Sequence, residues 1–203
     1  MATLKTREIK LSSAKYNIKC PYTMVPQFIV VHNTANDASA ENEIKYMQSN
    51  DNEVSFHYAV DDEGAVLGIP LNRNAWHAGD GGTGRGNRYG IAVEICYSKS
   101  GGSRFEKAEE NAARLIAEML TSRGWCIDRV TKHQDYSGKY CPHRTLDMGW
   151  ERFLNMIRAK MAESKDYAAL VCEKCGLESQ TRAYLDKYKY APDLWRKLWE
   201  AMA

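Results

Sequence analysis

Apolar and polar positions along the chain predict strands interleaved with helices. Residues 28–31 form a continuous apolar run, which is typical of a buried strand. Residues 55–60 and 65–69 flank an acidic turn that ends in Gly64, and this arrangement predicts a hairpin. Residues 91–97, with the sequence IAVEICY, predict a further strand.

Helical segments lie between and after these strands. Ser39 is a suitable N-cap for a helix over residues 40–49. Apolar residues at helical spacing predict a long helix over 104–123, closed by Gly124, and another over 149–163. Together the elements predict an α/β fold in which helices flank a mixed central β-sheet.

A glycine-rich stretch interrupts this pattern at residues 79–90. It contains six glycines in the sequence GDGGTGRGNRYG, and we therefore expect a flexible loop. The stretch lacks the GK[ST] sequence of a phosphate-binding loop. Nucleotide binding is therefore not indicated.

Composition narrows the class of protein. The chain has 203 residues, with 28 basic and 26 acidic side chains, and this balance argues against a nucleic-acid partner. No run approaches the 18 apolar residues of a membrane span, and the N-terminal sequence lacks the apolar region of a secretory signal. We therefore expect synthesis in the cytoplasm, where the six cysteines would be thiols or metal ligands.

The polar residues 162–166 are the predicted domain boundary. We expect one catalytic domain over residues 1–163 and a small helical segment over 166–203. In that segment an apolar stripe recurs at helical spacing, and it comprises Leu194, Trp195, Leu198 and Trp199. About 37 residues bury too little surface to fold alone, so we expect the stripe to dock on the first domain, a second copy or an external surface.

Two short stretches, 101 residues apart, carry candidate metal ligands. His32 ends the apolar run at 28–31, and His133 and Cys141 lie in a later loop-like segment. Imidazole and thiolate are ligands that zinc prefers, and three protein ligands with one open position are typical of a catalytic site. His143 is a rival ligand because it lies only two residues after Cys141.

Glu94 is the most informative residue after the candidate ligands. In the strand at 91–97 the large apolar side chains point to one face, and Glu94 points to the other. A carboxylate within a central strand costs free energy unless it is satisfied. We interpret it as a general base, and the alternative is a structural ion pair with an arginine of the glycine-rich stretch.

These residues, together with the sequences Trp76-His77-Ala78-Gly79 and Lys139-x-Cys141-Pro142, resemble the zinc-dependent N-acetylmuramoyl-L-alanine amidases of the phage-lysozyme and peptidoglycan-recognition type. The resemblance covers roughly residues 25–160. It implies a zinc-dependent hydrolase that cleaves the amide between N-acetylmuramic acid and L-alanine in peptidoglycan. A phage or prophage endolysin, released to act on the cell wall, fits this activity.

The resemblance also implies roles for individual residues. His32, His133 and Cys141 correspond to the zinc ligands, which leaves His143 outside the ligand set. Lys139 corresponds to the lysine that stabilises the oxyanion, although a solvated loop lysine is the plainer interpretation. Substrate-binding positions are expected at the following residues: Phe56, Trp76 and His77.

One position departs from the family pattern. Other members have a catalytic tyrosine just before a strand histidine, and this chain has Phe56 before His57. Phenylalanine cannot donate or accept a proton, so the role of the tyrosine does not carry over to Phe56. The expectation that Glu94 is the catalytic residue is strengthened. His57 and His77 are expected to support the site structurally and not to bind the metal.

Two questions stay open at this level. A non-catalytic peptidoglycan-binding module of the same fold is the alternative function, because some relatives keep the groove and lack the metal. The segment at 166–203 is expected to serve in cell-wall targeting or self-association. Within this segment Cys172 and Cys175 form a single CxxC pair. We interpret them as two thiols on one face of a helix, and the alternative is a zinc site. Cys20, Cys96 and Cys126 are expected to be buried thiols.

Overall fold

A computed structural model describes residues 4–164 and 167–202 of the chain. Its centre is a six-stranded sheet with the strand order β1-β4-β3-β5-β2-β6. All neighbouring strands are parallel except the antiparallel pair β3 and β4. The predicted mixed α/β sheet is therefore confirmed. The strands are β1 (Thr6–Glu8), β2 (Phe28–Asn33), β3 (Tyr58–Val60), β4 (Ala65–Leu67), β5 (Gly90–Ile95) and β6 (Val130–Lys132).

Helices connect the strands and continue after the last of them. Those that precede β6 in the chain are α1 (Tyr16–Lys19), α2 (Ala40–Ser49), α3 (Arg85–Tyr89) and α4 (Gly102–Arg123). Those that follow β6 are α5 (Gln134–Ser137), α6 (His143–Asp147), α7 (Trp150–Ser164), α8 (Tyr167–Cys175), α9 (Ser179–Leu185) and α10 (Ala191–Met202).

The helix boundaries follow from local chemistry. The Ser39 hydroxyl accepts a hydrogen bond from the Asn42 N–H at 3.4 Å and so caps α2 as predicted. Gly124 adopts a left-handed conformation, with φ of 63°, and closes α4 as predicted. Hydrogen bonds from its N–H to the carbonyls of Leu120 and Thr121 satisfy the end of that helix.

The core lies between the central strands and the long helices. Every residue of β2 is buried, and the apolar face of α4 is buried around Ala112, Ile116 and Leu120. Burying one aliphatic side chain of this size contributes about 1.5–3 kcal/mol to the free energy of unfolding. The central strands are thereby fixed rigidly, and their carboxyl ends form a stable base for functional side chains.

Three predictions about local structure were wrong or incomplete. The glycine-rich stretch is not a loop throughout, because residues 85–89 form α3 and Gly90 begins β5. The Asp80 carboxylate accepts hydrogen bonds from the N–H groups of Gly86 and Asn87, which stabilises the start of this helix. Cys126 is exposed and not buried. Strands β1 and β6 were not predicted at all.

The chain divides into two compact units between Met161 and Ala162. The second unit comprises α8, α9 and α10 and has its own small apolar cluster, which includes Ala168, Val171 and Trp195. Trp195 belongs to the predicted apolar stripe, so part of that stripe packs within its own segment, an arrangement that the sequence analysis did not consider. Among the described residues, none of the helices is both long and apolar enough to cross a membrane.

Candidate active site

The register of the central strands brings His32 and Glu94 together. On the parallel strands β2 and β5 these two residues are direct Cα partners, so their side chains lie on the same face of the sheet. The shortest distance between the His32 Nδ1 and the Glu94 carboxylate is 4.0 Å. Carboxyl ends of parallel strands are a common place for sites in α/β proteins.

The other two predicted ligands converge on His32. The His133 N–H donates a hydrogen bond to the Val31 carbonyl, which places His133 directly after β6 and beside His32. The Nδ1 atoms of His32 and His133 are 3.0 Å apart, and the Cys141 Sγ lies 3.9 Å from the His32 Nδ1. The three ligand atoms lie within 4.8 Å of one another, and all three residues are buried.

The protonation states of this cluster suit metal ligands. Burial and the neighbouring histidines hold the pKa of His32 well below its ordinary value, and burial followed by the Lys139 charge lowers the pKa of His133. Both imidazoles are therefore neutral near pH 7 and can offer lone pairs. Burial, and then the Glu94 charge, raise the pKa of the Cys141 thiol to about 11. A bound cation would reverse that shift, because metal coordination deprotonates a thiol.

The donor set fits a divalent metal ion. Zinc–nitrogen bonds of about 2.0–2.1 Å in a tetrahedral site put ligand atoms roughly 3.3 Å apart, close to the observed spacing of the two imidazoles. Within the described residues, this is the one group of three or more His, Cys, Asp or Glu residues that could hold a metal. His143 is not part of it, and its Nε2 lies 3.3 Å from the Ser98 carbonyl instead.

Glu94 has an environment unlike that of a structural ion pair. Its Oε2 atom is buried and has no hydrogen-bond partner. Burial, and then the Glu43 charge, raise the pKa of Glu94 to about 8, while the Lys139 charge acts in the opposite direction. Among the described residues, no arginine forms an ion pair with it. Glu94 lines the groove, and its Oε1 is the oxygen that faces the candidate ligands.

Lys139 lies on the exposed loop before Cys141 and lines the same groove. Its charge influences His32, His133, Glu94 and Cys141, which places its ammonium within electrostatic reach of the whole cluster. The Cys141 N–H donates a hydrogen bond to the Lys139 carbonyl at 2.7 Å and closes a tight turn, and the Cys141 carbonyl accepts one from the Gln134 N–H at 3.0 Å, which ties the loop to the start of α5.

An open groove of about 1070 Å³ leads to the cluster. Phe56 and Trp76, for which substrate binding remains a prediction, both line it, and so does Tyr22, whose ring meets Trp76 edge-on at 6.0 Å. The Trp76 Nε1 donates a hydrogen bond to the Ile18 carbonyl at 2.9 Å, which fixes its indole ring. The groove walls are therefore aromatic, and its floor carries the candidate ligands.

His77 reaches the groove but is mostly buried behind His32. The His32 Nε2 and the His77 Nδ1 are 3.0 Å apart. His57 lies farther from the ligands, and its two ring nitrogens contact only backbone, the Arg73 carbonyl at 2.9 Å and the Ala92 N–H at 3.0 Å. Neither histidine belongs to the group of three candidate ligands, and His77 is the one of the two that lines the groove.

Comparison with known proteins now identifies the family. The family model described as N-acetylmuramoyl-L-alanine amidase matches residues 22–144, a range that contains all three candidate ligands as well as Glu94 and Lys139. The chain belongs to this family. The resemblance stated from the sequence is thereby confirmed.

Individual relatives agree with the family model. The N-acetylmuramoyl-L-alanine amidase CwlA of Bacillus subtilis is 57% identical over 152 residues, which are 74% of this chain and 56% of that protein. The amidase XlyB of Bacillus subtilis is 60% identical over 143 residues, which are 70% of this chain and 45% of that protein. The chain thus spans about half the length of the curated relatives that it matches.

Solved structures show the same fold. The structure of PlyL matches with a TM-score of 0.73 and 54% identity, covering 76% of this chain and 97% of that one. The solution structure of the PlyG catalytic domain matches with a TM-score of 0.74 and 53% identity, covering 78% and 96% of the two chains. The similarity is therefore to whole catalytic domains of the amidase family.

Several residues at the site were missed by sequence reasoning. Glu43 of α2 influences the Glu94 carboxylate, and Asn87 of α3 accepts hydrogen bonds from the N–H groups of His77 and Ala78. Lys19 is fully buried, and its ammonium donates to the Asn50 side chain and to the carbonyls of Asn52 and Val54. The sequence gives no local signal for these roles, since each depends on a contact between distant segments.

Proposed function

We propose that this chain is a zinc-dependent N-acetylmuramoyl-L-alanine amidase that hydrolyses the amide joining N-acetylmuramic acid to L-alanine in peptidoglycan. The observation that carries the proposal is the cluster of two neutral imidazoles and a thiol beside an unpartnered carboxylate. Membership of the amidase family supports the substrate. The chemistry of the cluster supports the reaction type.

His32, His133 and Cys141 would hold the metal ion. When bound, zinc supplies Lewis acidity that polarises a carbonyl and acidifies water. Three protein ligands leave one position open, which is the arrangement of catalytic zinc sites. Zinc is favoured over magnesium or calcium because the donors are nitrogen and sulfur and not oxygen.

Glu94 is the proposed general base. Its side chain lines the groove and is 17% exposed, and its Oε1 lies 4.0 Å from the His32 Nδ1, so this oxygen can accept the proton of the attacking water. The same oxygen can then return that proton to the departing amine of L-alanine, which leaves as a neutral group.

Lys139 is the proposed oxyanion stabiliser. Its ammonium is on the groove side of the cluster and forms no ion pair with a carboxylate of the described residues. A positive charge held beside the scissile carbonyl stabilises negative charge that develops only in the transition state. The aromatic walls at Phe56 and Trp76 would meanwhile hold the sugar and stem peptide in place.

Product analysis tests this function directly. Purified peptidoglycan is digested, and the products are identified by mass spectrometry. We expect glycan strands without peptides, together with stem peptides that begin with L-alanine. Cleavage between sugars or within the stem would contradict the proposal. Tight binding to peptidoglycan without any cleavage would favour the alternative of a non-catalytic binding module.

For the second unit we propose attachment to the cell wall. Tyr184, Tyr188 and Tyr190 are all more than half exposed, and the rings of Tyr188 and Tyr190 meet edge-on at 5.7 Å. The Lys189 ammonium lies 5.2 Å from the centre of the Tyr190 ring. Exposed aromatic rings stack on sugars, and adjacent lysines attract the anionic groups of a wall polymer.

Variants of the full-length chain test this attachment. Replacing Tyr188 and Tyr190 with serine should reduce co-sedimentation with purified walls and leave cleavage of soluble muropeptides unchanged. Tyr89→Ser, at an exposed tyrosine of the first unit, is the matched control. Unchanged sedimentation would contradict wall attachment, and a change of mass in light scattering would instead indicate self-association of the chain through this segment.

A further inference from the structure

His77 and His32 form a buried pair of imidazoles joined by one hydrogen bond, and either ring could supply its proton. The His77 Nδ1 is 3.0 Å from the His32 Nε2, and the two rings are nearly perpendicular at 88°. Both side chains are buried, so water does not compete for this contact. In a contact between two neutral imidazoles, one nitrogen donates the proton and the other accepts it.

The position of the proposed metal site decides which nitrogen donates. The His32 Nδ1 faces the other two candidate ligands, so a neutral His32 that binds the ion through Nδ1 carries its proton on Nε2. The His77 Nδ1 is then the acceptor of this hydrogen bond, and the His77 proton lies on its Nε2, which is buried and has no hydrogen-bond partner among the described residues.

The consequence for His32 follows directly. Its Nε2 carries a proton and donates it to His77, which leaves a lone pair on its Nδ1. The Nδ1 is the atom that faces His133 at 3.0 Å and Cys141 at 3.9 Å. The hydrogen bond behind the ring therefore selects the tautomer that can bind a metal ion at the front.

A rigid support holds His77 in this position. The Asn87 Oδ1 accepts hydrogen bonds from the N–H of His77 at 2.8 Å and from that of Ala78 at 2.7 Å. The Asn87 side chain also donates to the Gly81 carbonyl at 3.1 Å, and its own N–H donates to Asp80 at 3.2 Å. The start of α3 thereby fixes the backbone that carries His77.

We propose that His77 is a positioning residue that fixes the orientation and tautomer of the ligand His32, with Asn87 as its support. The inference rests on the proposed metal site and adds a role that differs from substrate binding. Hydrogen-bonded partners of this kind change metal affinity by about 10- to 100-fold when they are removed. His77 needs no contact with substrate to have this effect.

Two measurements on the full-length chain test the inference. Long-range ¹H–¹⁵N NMR of the metal-free protein at pH 8 should show His32 protonated on Nε2. Zinc affinity is then measured by competition with a chromophoric chelator. His77→Leu should bind zinc about 10- to 100-fold more weakly. His77→Asn, which keeps an acceptor oxygen near the position of Nδ1, should recover much of that loss.

His57→Gln is the control for loss of a neighbouring buried histidine, because the His57 ring nitrogens bond only backbone groups and its ring meets that of His77 edge-on at 6.3 Å without reaching His32. Its zinc affinity should equal that of the wild type. A His32 protonated on Nδ1, or an unchanged affinity in His77→Leu, would overturn the inference. If His77→Leu does not fold, the wild-type tautomer and His77→Asn still decide it. If the wild type binds no zinc, the proposed function fails, and the NMR measurement alone still tests the tautomer.

Discussion

Replacing Glu94 with glutamine separates catalysis from folding at the most informative residue of the site. The substitution keeps the size of the side chain and removes the basic oxygen. If Glu94 is the general base, turnover should fall by about 10²- to 10⁴-fold, the usual contribution of acid–base catalysis. This loss corresponds to about 3–5 kcal/mol in the activation free energy.

The structure predicts a different result for stability. The Glu94 Oε2 has no hydrogen-bond partner, so the substitution breaks no hydrogen bond at that oxygen. Burial raises the pKa of Glu94 to about 8, which means that the charged form is disfavoured in the folded, metal-free protein. The melting temperature of that protein should therefore stay the same or rise at pH 7. Zinc content should not change, because no ligand is removed.

Glu109→Gln provides the control with the opposite pattern. Glu109 is also buried, and its carboxylate accepts a hydrogen bond from Arg152 at 2.6 Å. Removing it should lower the free energy of unfolding by roughly 1–3 kcal/mol and leave turnover unchanged. Turnover and thermal melting are measured on the same preparation of each variant. A Glu94→Gln protein that is fully active, or whose activity falls only as it unfolds, would refute the reasoning.

Three further predictions test other parts of the site. Lys139→Met should lower kcat by about 10²-fold with little change in melting temperature, because the side chain is exposed and acts on the transition state; a change in KM alone would contradict this. Lys19→Met should raise KM more than it lowers kcat, because the Lys19 ammonium holds the segment at 50–54 that lines the groove. Steady-state kinetics tests this, and a change in kcat alone would contradict it. Burial lowers the pKa of His57 to about 4, below its ordinary 6.5, so its neutral form stabilises the fold above pH 6.5 and that stability is lost as the pH falls toward 4. Between pH 7 and pH 4 the free energy of unfolding, measured with denaturant, should fall by about 3 kcal/mol less in His57→Gln than in the wild type. The same fall in both proteins would contradict the lowered pKa of His57.

The central strands could be predicted from the sequence because their signals are local, whereas the grouping of His32 with His133 and Cys141 depended on the family resemblance. The apolar run before His32 is long enough to indicate a buried strand, and the carboxyl end of such a strand is a common place for a ligand. Glu94 was identifiable because a single acidic side chain interrupts an apolar strand. Strands β1 and β6 have only three residues each and, unlike the equally short β3 and β4, do not flank a tight turn that signals a hairpin.

Other features depend on contacts that no local pattern reports. The helix α3 forms within a glycine-rich stretch because Asp80 caps it, and glycines alone predict a loop there. The role proposed for His77 depends on its position behind His32, 45 residues away in the chain. The apolar stripe of α10 was expected to need an external partner, whereas Trp195 packs with Ala168 and Val171 of α8.

Zinc titration of the metal-free protein tests the central claim most directly. Amidase turnover is recorded as zinc is added in known amounts to a known concentration of chain. The account predicts that the metal-free protein is inactive and that turnover reaches its maximum at one zinc ion per chain, since the cluster of His32, His133 and Cys141 is a single site. Full turnover in the metal-free protein would contradict the account.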